Sequence, residues 1–185
     1  MLETFLEIDV SLLQFFNNWG NTYLDPFWLF ITKVYIWVPL ILFLFFKASK
    51  SEPLKVQLIL LIGLLVLLAV ILGLTDVVKN MVERIRPCNN PLLEGCFREP
   101  IHPSDFSFFS GHTASSFGIA VYCIKMFKSD FKWIYIILIW AVFFSYSRLY
   151  LAAHFPSDIF IGGFVGCLLA LLLVNITEKC RVKYS

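Results

Sequence analysis

Long apolar runs separated by short polar stretches make up most of this 185-residue chain. Val56–Leu74 and Ile159–Thr177 hold no charged residue, and Pro26–Phe46 holds one, Lys33. Phe131–Tyr150 is charged only near its margins, at Lys132 and Arg148, and a shorter run opens near His112 and closes at Lys125 and Lys128. A helix of about 20 apolar residues spans a bilayer. The pattern therefore predicts an all-α fold, a single integral membrane domain over residues 1–185 with five transmembrane helices.

The first 20 residues read differently. Leu2, Phe5, Leu6, Leu12, Leu13 and Phe16 recur at roughly helical spacing, which predicts an interfacial N-terminal helix or a sixth span. Glu3, Glu7 and Asp9 stand where a signal peptide needs positive charge. Asp9 falls on the apolar face, so a break is expected there, with Asp9 capping a second short helix that runs to about Asn18.

Composition agrees with a membrane protein: 59% of residues are hydrophobic, 17% aromatic and only 15% charged. There is no internal repeat and no low-complexity segment. Charge then orients the spans. One set of connections carries Lys47, Lys50, Lys55, Lys125, Lys128, Lys132, Lys179, Arg181 and Lys183 against Glu52, Asp130 and Glu178. Positive charge collects on the cytoplasmic side, so the C-terminus is expected inside, with the N-terminus and the polar connection over residues 79–111 outside. In an extracytoplasmic loop Cys88 and Cys96 are expected to form a disulfide. Cys123 and Cys167 read as small apolar residues within spans, and Cys180 as a reduced thiol. The basic residues are accounted for without nucleic acid.

With five spans, three polar clusters distant in sequence surface at the same end of the bundle. In KNMVERIRP, Lys79 and Arg86 are two helical turns apart and Pro87 turns the chain out of the helix; snorkelling anchors at a helix end are the plain alternative. In SFFSGHTASS, Ser110 and Gly111 precede a helix whose first turn carries His112. Free N–H groups at such a terminus attract phosphate, although a simple Ser cap explains the tripeptide equally well. In SRLYLAAHFPSD, Arg148 ends one span, Pro156 begins the next, and Asp158 lies four residues after His154. A charge near hydrocarbon costs about 2.5–3.5 kcal/mol even on the lenient insertion scale. A cap accounts for Asp158 but leaves Arg148 unexplained. Three cations, N–H donors and two histidines, one with a carboxylate beside it, suit transfer of a phosphoryl group. The third histidine, His102, lies in the loop, there is no metal-ligand spacing, and three neighbouring cations would repel a divalent metal, so no cofactor is expected.

These stretches fit KxxxxxxRP, the end of PSGH, and SRxxxxxHxxxD, in that order from Lys79 to Asp158. The chain resembles the type-2 phosphatidic acid phosphatase superfamily, in particular its small bacterial membrane members such as phosphatidylglycerophosphatase B and undecaprenyl-diphosphate phosphatases. The resemblance implies a helical bundle in the bacterial inner membrane that removes phosphate from lipid phosphates or diphosphates without metal. It implies His154 as the nucleophile forming a phosphohistidine, Asp158 as its orienting partner and His112 as the general acid. Lys79, Arg86, Ser110, Gly111 and Arg148 would hold the phosphoryl oxygens. The implied substrates are undecaprenyl diphosphate, phosphatidylglycerol phosphate, phosphatidate or a lipid A phosphate. Transfer to a second lipid, and lipid binding or transport on a vestigial site, are the alternatives. Soluble haloperoxidases in the superfamily share the anion cradle, a reading that the membrane spans make remote. The sequence departs from the family pattern at Phe109, where proline is usual, and Arg84 adds a further cation.

Overall fold

The computed structural model describes residues 2–127 and 131–184. Lys128 and Asp130, which entered the charge comparison, lie outside the described residues, as do the side chains of Leu2, Glu3 and Phe5. The described residues are helical, without strands. In chain order they form α1 (Leu2–Asn18), α2 (Asp25–Ile31), α3 (Val34–Ala48), α4 (Leu54–Val82), α5 (Gly111–Phe127), α6 (Ile136–Tyr150) and α7 (Pro156–Tyr184). Short 3-10 turns at Pro87–Asn89, Pro91–Leu93 and Lys132–Tyr135 complete the regular structure.

Three helical stretches, Leu54–Val82, Lys132–Tyr150 and Pro156–Lys183, are long and apolar enough to cross a bilayer. The predicted span over Pro26–Phe46 is instead a bent pair, α2 and α3, which meet at 53° and make a fourth crossing if taken together. Thr32 and Lys33 form the break, and Trp37 Nε1 donates to the Ile31 carbonyl across it at 2.7 Å. The chain is a multi-pass membrane protein. Leu58, Ile62, Leu65 and Leu72 on α4 are exposed, as are Phe160, Phe164, Leu168 and Leu172 on α7. Such continuous apolar faces suit hydrocarbon rather than water.

The predicted span after His112 forms as α5 but covers only 17 residues. It packs against α4, α6 and α7 and is the central helix of the bundle. Its small and hydroxylated residues Thr113, Ala114, Ser116, Gly118 and Ala120 are buried against its neighbours, and it is not among the helices long and apolar enough to cross a bilayer. Contact with α7 is close enough to demand glycine. A Cβ on Gly162 would lie 2.6 Å from the Ser110 carbonyl oxygen, and one on Gly166 would lie 2.1 Å from that of Ala114. Small residues of this kind let membrane helices approach backbone to backbone.

The expected break at Asp9 is absent, and α1 is one continuous helix. Asp9 is 4% exposed, and its carboxylate accepts from Ser157 N at 2.9 Å, Ser157 Oγ at 2.5 Å and Arg84 Nη2 at 2.6 Å. Asp9 therefore caps a helix, but that helix is α7. Because its charge is compensated by another element, it does not interrupt its own. At the opposite end of the bundle Arg181 is paired with Glu52 and donates to the Met126 carbonyl, tying together the ends of α7 and α5 and the start of α4.

Gly166→Ala should lower the detergent melting temperature by the equivalent of about 1–3 kcal/mol, the usual cost of overpacking. At Gly73 a Cβ meets nothing within 4 Å, so Gly73→Ala should leave melting unchanged or raise it by the equivalent of up to about 1 kcal/mol. Thermal unfolding of the two variants side by side checks the α5–α7 contact.

Candidate active site

Four helix ends converge at the end of the bundle away from Arg181: the C-termini of α4 and α6 and the N-termini of α5 and α7. They bring together the residues that the sequence patterns singled out. Lys79, Gly111, His112 and Arg148 line one cavity with Arg86, which comes from the loop after α4. The cavity has a volume of about 570 Å³ and continues along an apolar wall from α3 and α4 that includes Val34, Val38, Leu61, Leu65 and Leu72.

Arg86 is 3% exposed. Its Nε donates to the Asp105 carbonyl at 2.9 Å, its Nη1 to the Ala153 carbonyl at 2.6 Å, and its Nη2 to Asp105 Oδ1 at 2.8 Å. Nη1 also stands 3.0 Å from His154 Nε2. A guanidinium offers only donors, so Nε2 carries the lone pair and Nδ1 the proton. On the Nδ1 side, Ser107 Oγ lies at 3.4 Å and Asp158 Oδ2 at 3.5 Å, while the Ser107 hydroxyl donates to that same Oδ2 at 2.5 Å. Asp158 therefore supports His154 partly through Ser107. Burial, and then the charges of Arg86, Arg148 and Lys79, hold the His154 imidazole well below its ordinary pKa. It is neutral near pH 7.

Asp158 is fully buried and has a second task. Its Oδ2 accepts from Phe155 N at 2.9 Å, which is a capping contact from the third position of α7 back to its N-cap. Ser110 caps α5: its Oγ accepts from Thr113 N at 3.4 Å and Thr113 Oγ1 at 3.1 Å, and its own N–H donates to the Asp158 carbonyl at 3.1 Å. The first turns of α5 and α7 are thus fastened to each other. His112 faces the cavity with its ring centroid 5.2 Å from that of Phe144. Arg148 is 5% exposed and donates from Nη1 to Thr32 Oγ1 at 2.5 Å; its Nε is buried with no hydrogen-bond partner among the described residues. Arg148 lines the cavity, and a buried guanidinium there suits an anionic ligand.

Asp105 is the acid that sequence reasoning missed. Its side chain, about half exposed, pairs with both Lys79 and Arg86. Its burial tends to raise its pKa, but the hydrogen bond from Lys79 and the charge of Arg86 bring the carboxyl down to about 2. A carboxylate therefore sits between two of the three cations. Ser107 and Thr32 were also missed: Ser107 opens the SFFSGHTASS stretch but carries no charge, and Thr32 lies in none of the three clusters. Arg84 does not line the cavity; it lies behind Asp158, donating to Oδ1 at 2.7 Å. His102 stays on the loop, with Nδ1 2.9 Å from the Cys88 carbonyl. The expected Cys88–Cys96 bond is not formed, and both thiols are free. Cys88 is buried, with its N–H on the Ala152 carbonyl, whereas Cys96 is exposed beyond the turn at Pro91–Leu93.

The chain is 32% identical to a lipid A 4'-phosphatase of Bacteroides thetaiotaomicron, over 98% of its own length and 84% of that protein. It is 30% identical to an undecaprenyl-diphosphatase of Sulfolobus acidocaldarius, over 95% and 81%. Its fold matches the crystal structure of a transmembrane PAP2-type phosphatidylglycerolphosphate phosphatase from Bacillus subtilis, with a TM-score of 0.73 and 26% identity over 95% of this chain and 87% of that one. Residues 57–181, which carry Lys79, Arg86, His112, Arg148, His154 and Asp158, match the PAP2 superfamily. The chain belongs to the PAP2 superfamily.

Proposed function

We propose that this protein is a metal-independent membrane phosphatase that hydrolyses a lipid phosphate or diphosphate through a phosphohistidine on His154. The observation that carries this reading is the cavity, with Lys79, Arg86, Arg148 and His112 at one end and a hydrocarbon wall along the rest. From Lys79 to Leu61 along α4 is about 27 Å at 1.5 Å per residue, the scale of a lipid tail.

The phosphoryl oxygens displace the Asp105 carboxylate from Lys79 and Arg86 and meet the guanidinium of Arg148, which lines the same cavity. His154 Nε2 attacks phosphorus, forming the N–P bond as the bond to the leaving oxygen breaks. His112 gives its proton to that oxygen. Asp158, with Ser107, stabilises the positive charge that develops on the ring through Nδ1–H. Water then attacks the phosphohistidine and loses a proton to His112. The N–P electron pair returns to Nε2, and orthophosphate leaves.

The names of the relatives cover a phosphomonoester and a diphosphate, which supports a panel of lipid A phosphate, undecaprenyl diphosphate, phosphatidylglycerol phosphate and phosphatidate. The excess of lysine on the opposite set of connections supports an extracytoplasmic site in a bacterial inner membrane, with the C-terminus inside. On this reading the whole chain is one domain, α5 and the bent pair complete five spans, and α1 lies at the interface. Transfer to a second lipid would follow the same steps with a lipid hydroxyl in place of water.

Purified protein should release phosphate from at least one lipid of the panel and should do so unchanged in chelator. Chelator-sensitive release removes the metal-free mechanism, and no release from any lipid leaves lipid carriage instead. His154→Ala should lower turnover by about a thousandfold or more, and acid-labile phosphoprotein should be trapped in the parent protein but not in this variant. Because the His154 pKa is lowered, its lone pair should survive below the ordinary imidazole range. In nitrogen NMR of the labelled ring, His154 should remain neutral with its proton on Nδ1 at pH 6; a titration midpoint at or above 6.5 contradicts this. Asp105→Asn keeps the backbone acceptor for Arg86 while removing the competing charge. It should strengthen inhibition by orthophosphate about tenfold, equivalent to roughly 1.4 kcal/mol; unchanged inhibition would mean that Asp105 does not compete with the phosphoryl group.

A further inference from the structure

The N-terminal helix carries none of the three sequence signatures, yet it supplies an acid to the group behind His154. Arg84 extends its guanidinium over the Phe155 ring, 3.9 Å from the centroid, and lies between two carboxylates. Nη1 reaches Asp158 Oδ1 at 2.7 Å, and Nη2 reaches Asp9 Oδ2 at 2.6 Å. Ser157 completes the link: its hydroxyl accepts from Arg84 Nη1 at 2.7 Å and donates to Asp9 Oδ2 at 2.5 Å, and its N–H donates to Asp9 Oδ1 at 2.9 Å. Asp9 is 4% exposed and Asp158 is fully buried. Two buried carboxylates share one arginine.

This group meets His154 through Asp158, whose Oδ2 lies 3.5 Å from Nδ1. Asp9, Arg84 and Asp158 sum to one net negative charge on the Nδ1 side of the ring. Arg86, Arg148 and Lys79 act on the ring as positive charges, with Asp105 as their partial counter-charge. With Asp9 neutral, the guanidinium would belong to Asp158 alone. It would then cancel the carboxylate's charge and draw it toward Oδ1, away from the Oδ2 that faces Ser107 and His154 Nδ1. Buried charge pairs respond strongly to the loss of one partner.

We propose that Asp9 of α1 is a positioning residue for the phosphoryl-transfer step: by engaging half of the Arg84 guanidinium, it keeps the Asp158 carboxylate negative and aimed at His154 Nδ1. This rests on the reading of His154 as the nucleophile. It makes α1 part of the catalytic apparatus, acting through Arg84 and Asp158 without touching substrate.

The test compares the full-length protein with Asp9→Asn and Asp9→Glu in detergent. Asp9→Asn should lower kcat about tenfold while KM and inhibition by orthophosphate stay within about twofold, because the cation cradle is untouched. The Nδ1–H proton resonance of His154 should move upfield as Asp158 Oδ2, which faces it at 3.5 Å, and the Ser107 hydroxyl bound to that oxygen shift away. Asp9→Glu, which keeps the charge, should recover kcat to within about threefold of the parent. An unmoved resonance with unchanged kcat overturns the proposal. So does a loss of kcat matched by equal losses of orthophosphate affinity and melting temperature, which would make Asp9 purely architectural. The resonance needs no turnover, so the two failures are distinguishable: a parent protein without phosphatase activity whose resonance still moves in Asp9→Asn would sink the functional reading and the catalytic part of this one, whereas an unmoved resonance in an active protein would sink this one alone.

Discussion

Two buried arginines, Arg86 at 3% and Arg148 at 5% exposure, are the constraint on which the rest of this structure depends. A charge removed from water costs several kcal/mol even after relaxation, unless acceptors replace the lost hydration. Much of the irregular backbone here supplies such acceptors. The loop after α4 folds back over the helix ends, so that the carbonyl and carboxylate of Asp105 both reach Arg86. The turn before α7 passes through a left-handed residue, Ala152, at φ 49°. Beyond it the Ala152 carbonyl accepts from Cys88 N and the Ala153 carbonyl from Arg86. The bend between α2 and α3 brings the Thr32 hydroxyl to Arg148. What stays unmet among the described residues is the buried Nε of Arg148, a residue that lines the cavity.

Most of the cavity's cations were legible in the sequence because a charge at the edge of an apolar run is conspicuous. Lys79, Arg86 and Arg148 could be placed at one end by counting spans, and the Pro156 start of α7 followed from the conformational preference of proline. Asp158 stood out by its spacing from His154, but the other acids were less legible. Asp105 sits in a polar loop, where a carboxylate excites no attention, and its significance depends on a fold-back that no local pattern encodes. Asp9 did stand out, as a charge on an apolar face, but local reasoning could only pair it with its own helix. Its partners, Arg84 and Ser157, lie 75 and 148 residues away. Span counting from hydropathy read α5 as a span although it is short and rich in small residues. Among the described residues α5 is not one of the helices long and apolar enough to cross a bilayer, and its packing against α4, α6 and α7 accounts for its small residues.

The competition between capping and chemistry at Ser110 and Asp158 dissolves in the structure. Ser110 Oγ caps α5 while its backbone N–H holds the Asp158 carbonyl. Asp158 Oδ2 caps Phe155 N while it faces Ser107 and the His154 ring. A carboxylate that must direct a histidine needs a fixed orientation, and a capping bond to a rigid helix start supplies one. The glycines at Gly162 and Gly166 extend the same logic, since they let α7 press against the first turns of α5. Stability and site geometry here draw on the same atoms.

Burial and positive neighbours keep His154 neutral, and on the phosphohistidine reading that same environment resists the positive charge the ring acquires on attack. A nucleophile made available by surrounding cations is to that extent a poor bearer of the product charge. A carboxylate on the far nitrogen relieves the conflict because it acts most strongly as charge develops, whereas the cations act equally on the resting ring. Arg84 is needed to let Asp158 be buried, yet it would cancel that benefit if it served Asp158 alone. Dividing its two NH2 groups between Asp158 and Asp9 meets both requirements. The opposed charges on the two sides of the ring also favour the proton on Nδ1 and the lone pair on Nε2, toward the cation cradle. A helix outside the sequence signatures thus contributes to the polarity of the site.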